Sequence, residues 1–221
     1  MFAGHAGLAL AVRPLMPRQS LGLLFAAAFW LDLVWPVLLL TGLESVQIRP
    51  GDTAFAPLAF VHYPWSHSLL AVLAWAVAFA LVALRGRLDR LGDFLGLSGL
   101  VLSHWLLDAV VHRPDLPLAP GLPVKVGLSL WNSLPATFLV EGLLVLGGIL
   151  VYLRRTTAKD GQGTWAFVSL LALIIVIWAS GPFSPPPPSP TAIGIVGLLS
   201  WLLPLWAFWA DRHRGLRANP L

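Results

Sequence analysis

Cysteine is absent from the 221 residues, and charge is scarce, with Lys, Arg, Asp and Glu together making up 11%. Without cysteine there is neither a disulfide scaffold nor a thiolate-ligated zinc or iron–sulfur centre. Soluble domains carry roughly 25% charged residues, so this composition excludes a soluble globule. It also excludes disorder, which needs low hydrophobicity and high net charge. What is abundant is apolar: 57% hydrophobic residues, eleven Trp and a mean hydropathy of +0.80. The combination predicts an all-α, polytopic helical bundle in a lipid bilayer. The net charge of +4 then bears on orientation in the bilayer, and no nucleic-acid partner is expected.

Crossing roughly 30 Å of hydrocarbon takes about 20 helical residues. Six stretches approach that length: residues 20–41, 65–84, 91–111, 128–153, 165–180 and 193–210. Of fourteen basic residues, eleven fall on one side of this arrangement, and only Arg49, Arg113 and Lys125 on the other. The positive-inside bias places both termini in the cytoplasm. Residues 2–12 precede Arg13 and Arg18 instead of following a basic region, so no cleaved signal is expected. Residues 2–15 predict a short helix that turns near Pro14–Pro17 and forms a hairpin with the first span. Residues 1–155 hold nearly all the polar groups of the spans. Residues 156–221 form a C-terminal hairpin with a Pro-rich connector (Ser184 to Pro190) and a basic tail.

Ionisable side chains inside a bilayer cost about 2.5–3.5 kcal/mol each on insertion scales, so those present require a reason. His5, Asp32, His67, His104, Asp108 and Glu141 all fall in the first part of the chain. His5 and Asp32 lie about 18–22 Å from the Pro14–Pro17 turn by helical rise, hence at similar depth. Asp32, His104 and Glu141 each lie roughly 18–21 Å from the cytoplasmic edge. His104, Asp108 and His112 recur every four residues and share one helix face. An imidazole and a carboxylate so spaced suit a divalent metal, zinc first and manganese or iron as alternatives. In His62-Tyr63-Pro64-Trp65-Ser66-His67-Ser68 the proline marks a helix start and aims His67 into the bundle. His213, in the basic tail, reads as a solvated surface residue. A Ser-His-Asp hydrolase is disfavoured: Ser66 and Ser103 each directly precede a histidine, and adjacent helical residues face different ways.

The Gly4-His5, Leu31-Asp32-Leu33, His62…Ser66-His67-Ser68-Leu69-Leu70 and Leu102-Ser103-His104…Asp108 blocks, in that order, resemble the YdjM-like family of inner-membrane metal-dependent hydrolases. The likeness covers about residues 3–155. It implies a bacterial inner-membrane location and assigns His5, Asp32, His67, His104 and Asp108 as metal ligands, with His62 a further motif position. One departure is plain. The family's Pro-Asp-x-Asp-His is Leu31-Asp32-Leu33-Val34-Trp35 here, without the second Asp and the His. Glu141 and His112 are the candidates to replace them.

The expected function is a membrane-embedded, metal-dependent hydrolase of a lipid-like or amphiphilic ester or phosphoester, reached from the exoplasmic side. Glu141 and Asp108 are the catalytic candidates, Glu141 as base. Arg113 and Asn132, near the mouth, are placed to hold an anionic head group. Two alternatives use the same residues: a transporter or a metal- or proton-binding module without hydrolysis, and an assembly subunit whose polar groups lock helices together.

Overall fold

Long apolar runs become helices because only a helix or a closed barrel satisfies its own backbone in lipid. The structure, a computed structural model, describes residues 1–217. In chain order it comprises α1 (Phe2–Val12), α2 (Leu21–Ala28), α3 (Trp30–Leu40), β1 (Ser45–Ile48), β2 (Leu58–His62), α4 (Pro64–His67), α5 (Leu69–Ala83) and α6 (Leu91–Val111). There follow β3 (Leu116–Pro117), β4 (Lys125–Val126), α7 (Leu134–Arg155), β5 (Thr156–Ala158), α8 (Gly161–Ser180), α9 (Pro190–Gly197), α10 (Leu202–Arg212) and β6 (Arg214–Leu216). The strands form three separate antiparallel pairs, β1–β2, β3–β4 and β5–β6, in segments that the sequence suggests are loops or tail.

Four helical stretches are long and apolar enough to cross a membrane: Leu91–Val111, Leu134–Arg155, Gly161–Phe183 and Pro190–Arg212. The pair α2 and α3 makes a fifth if its two halves, bent by 55°, count as one span. Two of the six expected spans therefore differ from a straight helix. The first breaks at Phe29, whose φ of −101° and ψ of 9° leave the helical region. The second splits at Ser68, an extended residue whose hydroxyl accepts the Ala71 amide and starts α5 anew. At 1.5 Å per residue the 15 residues of α5 reach only about 22 Å.

Helix α7 shows how the bundle is layered. Leu139, Leu143 and Leu146 point outward and are more than half exposed, while Glu141, Val145, Gly148 and Tyr152 are buried on the opposite side. Such an apolar exterior is stable only against lipid or another apolar surface. Helix α1 packs most extensively on α7, with α2 as its second neighbour. Its backbone touches that of α7: a Cβ at Gly148 would lie 2.0 Å from the Gly7 carbonyl oxygen. Small residues permit this approach, as they commonly do between membrane helices. At the arginine-rich end, Arg13 Nε reaches both Asp211 oxygens (3.0 and 3.2 Å), and Asp211 Oδ2 accepts the Leu21 amide (3.0 Å). One carboxylate thus ties α1, α2 and α10 together.

Candidate metal centre

The break between α2 and α3 positions the first part of the site. It puts Asp32 in the first turn of α3, and it leaves the Ala28 carbonyl oxygen to accept from His104 Nδ1 of α6 at 2.7 Å. A carbonyl has no proton to give, so Nδ1 carries the hydrogen. In the neutral ring Nε2 is then a bare acceptor. That nitrogen has no hydrogen-bond partner among the described residues, yet it lies 3.1 Å from Asp108 Oδ2 and 3.7 Å from Asp32 Oδ1. Two acceptors at such a distance repel unless a proton or a metal ion lies between them.

His67 reaches the same point from the opposite wall. It ends the single turn α4, and its carbonyl accepts Trp105 Nε1 of α6 at 2.9 Å. Its Nε2 lies 3.8 Å from Asp108 Oδ2 and 3.9 Å from Asp32 Oδ1. Asp32, His67 and His104 therefore form a first metal-compatible group of two nitrogens and one oxygen, with Asp108 Oδ2 beside both rings. A tetrahedral zinc with bonds of about 2.0–2.1 Å keeps its donors about 3.3–3.4 Å apart. The observed separations of 3.1–3.9 Å bracket that value. Buried His67 and His104 with the half-buried Asp32 can hold a metal ion.

His5 joins from α1, 1% exposed, with Nε2 3.2 Å from Asp108 Oδ1 and its ring stacked on His104 at 3.8 Å. The Met1 nitrogen lies 2.5 Å from the same Oδ1. His5, His104 and Asp108 make a second metal-compatible group, sharing His104 with the first. All five expected ligands thus meet in one place.

The other candidates are distributed around it. Glu141, fully buried, accepts the first-turn amides of α1 through Oε2, Ala3 at 2.9 Å and Gly4 at 3.4 Å, and belongs to neither group. His112 shares a wall of a cavity of about 120 Å³ with Asp32, His67, Asp108 and the aromatic rings of Trp35, Phe60 and Trp131. Its Nδ1 faces Asp115 Oδ1 at 3.0 Å, and Nε2 has no protein partner among the described residues. Arg113 pairs with Asp52 at 2.8 Å. Asn132 is exposed at the end of a 3-10 turn, and His62 is exposed at the end of β2, outside the cluster. His213 is paired with Asp160 at 2.8 Å near the surface.

Three residues around the centre gave no signal that set them apart in the sequence. Glu44 and Asp115 are acids in loops, where solvent ordinarily explains a charge, and Tyr63, though inside the His62–Ser68 motif, is an aromatic residue with no chemistry of its own assigned by the pattern. Glu44 is 2% exposed and bonded to Ser66, beside His67. Burial pushes its carboxyl above the ordinary glutamate range, against hydrogen bonds from Ser66 and Trp65. Burial also pushes the Tyr63 phenol well up, so it stays a donor to Asp115 Oδ1 at 2.9 Å. The only foresight available was proximity to the His62–Ser68 motif. Compared with protein-family models, with curated proteins and with solved structures, the chain matches none.

Proposed function

We propose that this protein is a metal-dependent hydrolase of the bacterial inner membrane, acting on a lipid-like or amphiphilic ester or phosphoester from the exoplasmic side. The observation that carries it is His104 Nε2, without a hydrogen-bond partner among the described residues and 3.1 Å from Asp108 Oδ2, with His67 and Asp32 closing the same space. The residues that would hold the ion are Asp32, His67, His104 and Asp108, with His5 turned to the other oxygen of Asp108. Donors of nitrogen and oxygen without thiolate favour zinc, with manganese or iron next. A divalent ion there would lower the pKa of a bound water and polarise a scissile ester or phosphoryl group.

The chain's own groups supply the rest. His112, steadied by Asp115 through Nδ1, presents its other nitrogen at the cavity and is the group to take up a proton. Glu141 serves α1 instead, fixing the helix that carries His5. The rings of Trp35, Phe60 and Trp131 give the cavity apolar walls suited to an amphiphile. The order of motifs resembling the YdjM-like hydrolases supports this assignment. We further read the chain as six crossings with both termini cytoplasmic, α1 pairing with the broken first span.

The test uses purified protein stripped with a chelator and reloaded with zinc, assayed on chromogenic esters and phosphodiesters of graded chain length. Expected are hydrolysis that zinc restores, loss of turnover with metal retained in His112→Ala, and retained turnover in Glu141→Gln. Metal-loaded protein that cleaves neither class would refute hydrolysis and favour transport or binding by the same cluster.

A further inference from the structure

Three imidazoles around the centre are held by Nδ1, and one anchor is unlike the others. His104 uses a backbone carbonyl and His112 a nearby aspartate, whereas His67 is reached from a residue 23 positions away through an intervening hydroxyl. We propose that Glu44 is a positioning residue for the metal centre, setting through Ser66 the tautomer and aim of His67. This rests on the metal reading above and names a residue that the motif comparison leaves out.

Glu44 Oε1 accepts the amides of Trp65 and Ser66, both at 2.8 Å. Those bonds satisfy the first turn of α4, whose N-cap residue Tyr63 supplies no side-chain acceptor. A capping role needs only that oxygen. The second one, Oε2, lies 2.6 Å from Ser66 Oγ, which in turn lies 2.7 Å from His67 Nδ1. A hydroxyl has one proton, and a short contact to a charged carboxylate is its stronger acceptor. Ser66 therefore donates to Glu44, and the ring must donate to Ser66. His67 is thereby fixed with its hydrogen on Nδ1 and a bare Nε2 facing Asp32 and Asp108. Partners of this kind commonly change metal affinity 10–100-fold.

Glu44→Gln is a sharp probe because it inverts the relay. The amide can still cap α4 through its oxygen, but its NH₂ now donates to Ser66, whose proton turns to His67 Nδ1. The ring hydrogen then moves to Nε2 and faces the metal donors. Ser66→Ala keeps the cap and cuts the relay. Expected are zinc affinities about 10–100-fold below wild type in both variants, by competition with a chromogenic chelator. Nitrogen-15 spectra of the metal-free protein, with His67 assigned by its loss in His67→Ala, should show hydrogen on Nδ1 in wild type and on Nε2 in Glu44→Gln. An unchanged tautomer in Glu44→Gln, or wild-type affinity in both variants, would overturn the relay. Wild-type protein that binds no zinc would refute the metal centre instead, while the tautomer exchange would still decide the relay.

Discussion

Replacing His104 by alanine removes the one side chain common to both metal-compatible groups. Two losses follow, and they separate experimentally. The Ala28 carbonyl oxygen loses its 2.7 Å donor in a fully buried place, which costs about 1–3 kcal/mol. For a chain of this length each kcal/mol moves the melting temperature about 2–4 °C, so the metal-free variant should melt about 2–12 °C below wild type. The second loss is the metal itself. Free zinc at a hundred times its dissociation constant stabilises a folded protein by about 2.7 kcal/mol. Wild type should therefore gain about 5–11 °C when zinc is added, and the variant nothing. The assay is thermal unfolding in one detergent with and without zinc, together with elemental analysis of each sample. His213→Ala, altered at a partly exposed histidine paired with Asp160, serves as control and should respond like wild type. An equal zinc-induced shift and equal zinc content in His104→Ala would place the metal elsewhere and refute the site.

The contact between α1 and α7 makes a matched pair of substitutions informative. Gly148→Ala drives a methyl to 2.0 Å from the Gly7 carbonyl oxygen and should destabilise by about 1–3 kcal/mol or more, while Gly147→Ala meets nothing within 4 Å. Thermal unfolding of both should rank them in that order, and the reverse order would refute the crossing. At the protein surface, the His213 hydrogen bond holds the Asp160 carboxyl below its usual range. A depressed acid contributes stability that is present above the ordinary aspartate range and lost as pH falls through the lowered value. Asp160→Ala, which also removes the cap on the Gly163 amide, should therefore destabilise at neutral pH and converge with wild type in strong acid.

Much of the site was readable before any coordinates. Each candidate ligand is an ionisable residue in an apolar run, and rise per residue alone puts Asp32 and His104 at one depth. What depth could not supply is rotation, because a helix at a known height still has a free angle about its axis. Glu141 shows the consequence. Its depth matched that of the ligands, yet packing turns it to the amides of α1.

The sequence by itself determined that the protein is helical and apolar on its outer surface, and it singled out one small set of histidines and aspartates able to hold a metal ion. Those properties follow from residue type and spacing, which are local. The tertiary structure alone decided that the first span breaks at Phe29 and leaves the Ala28 carbonyl to fix His104. It alone brought Glu44 from a loop to Ser66 and seated His5 on the far oxygen of Asp108. These depend on backbones meeting at Gly7 and Gly148 and on where orphaned donors and acceptors find partners. Such pairings are settled by packing in three dimensions, and no spacing along the chain encodes them.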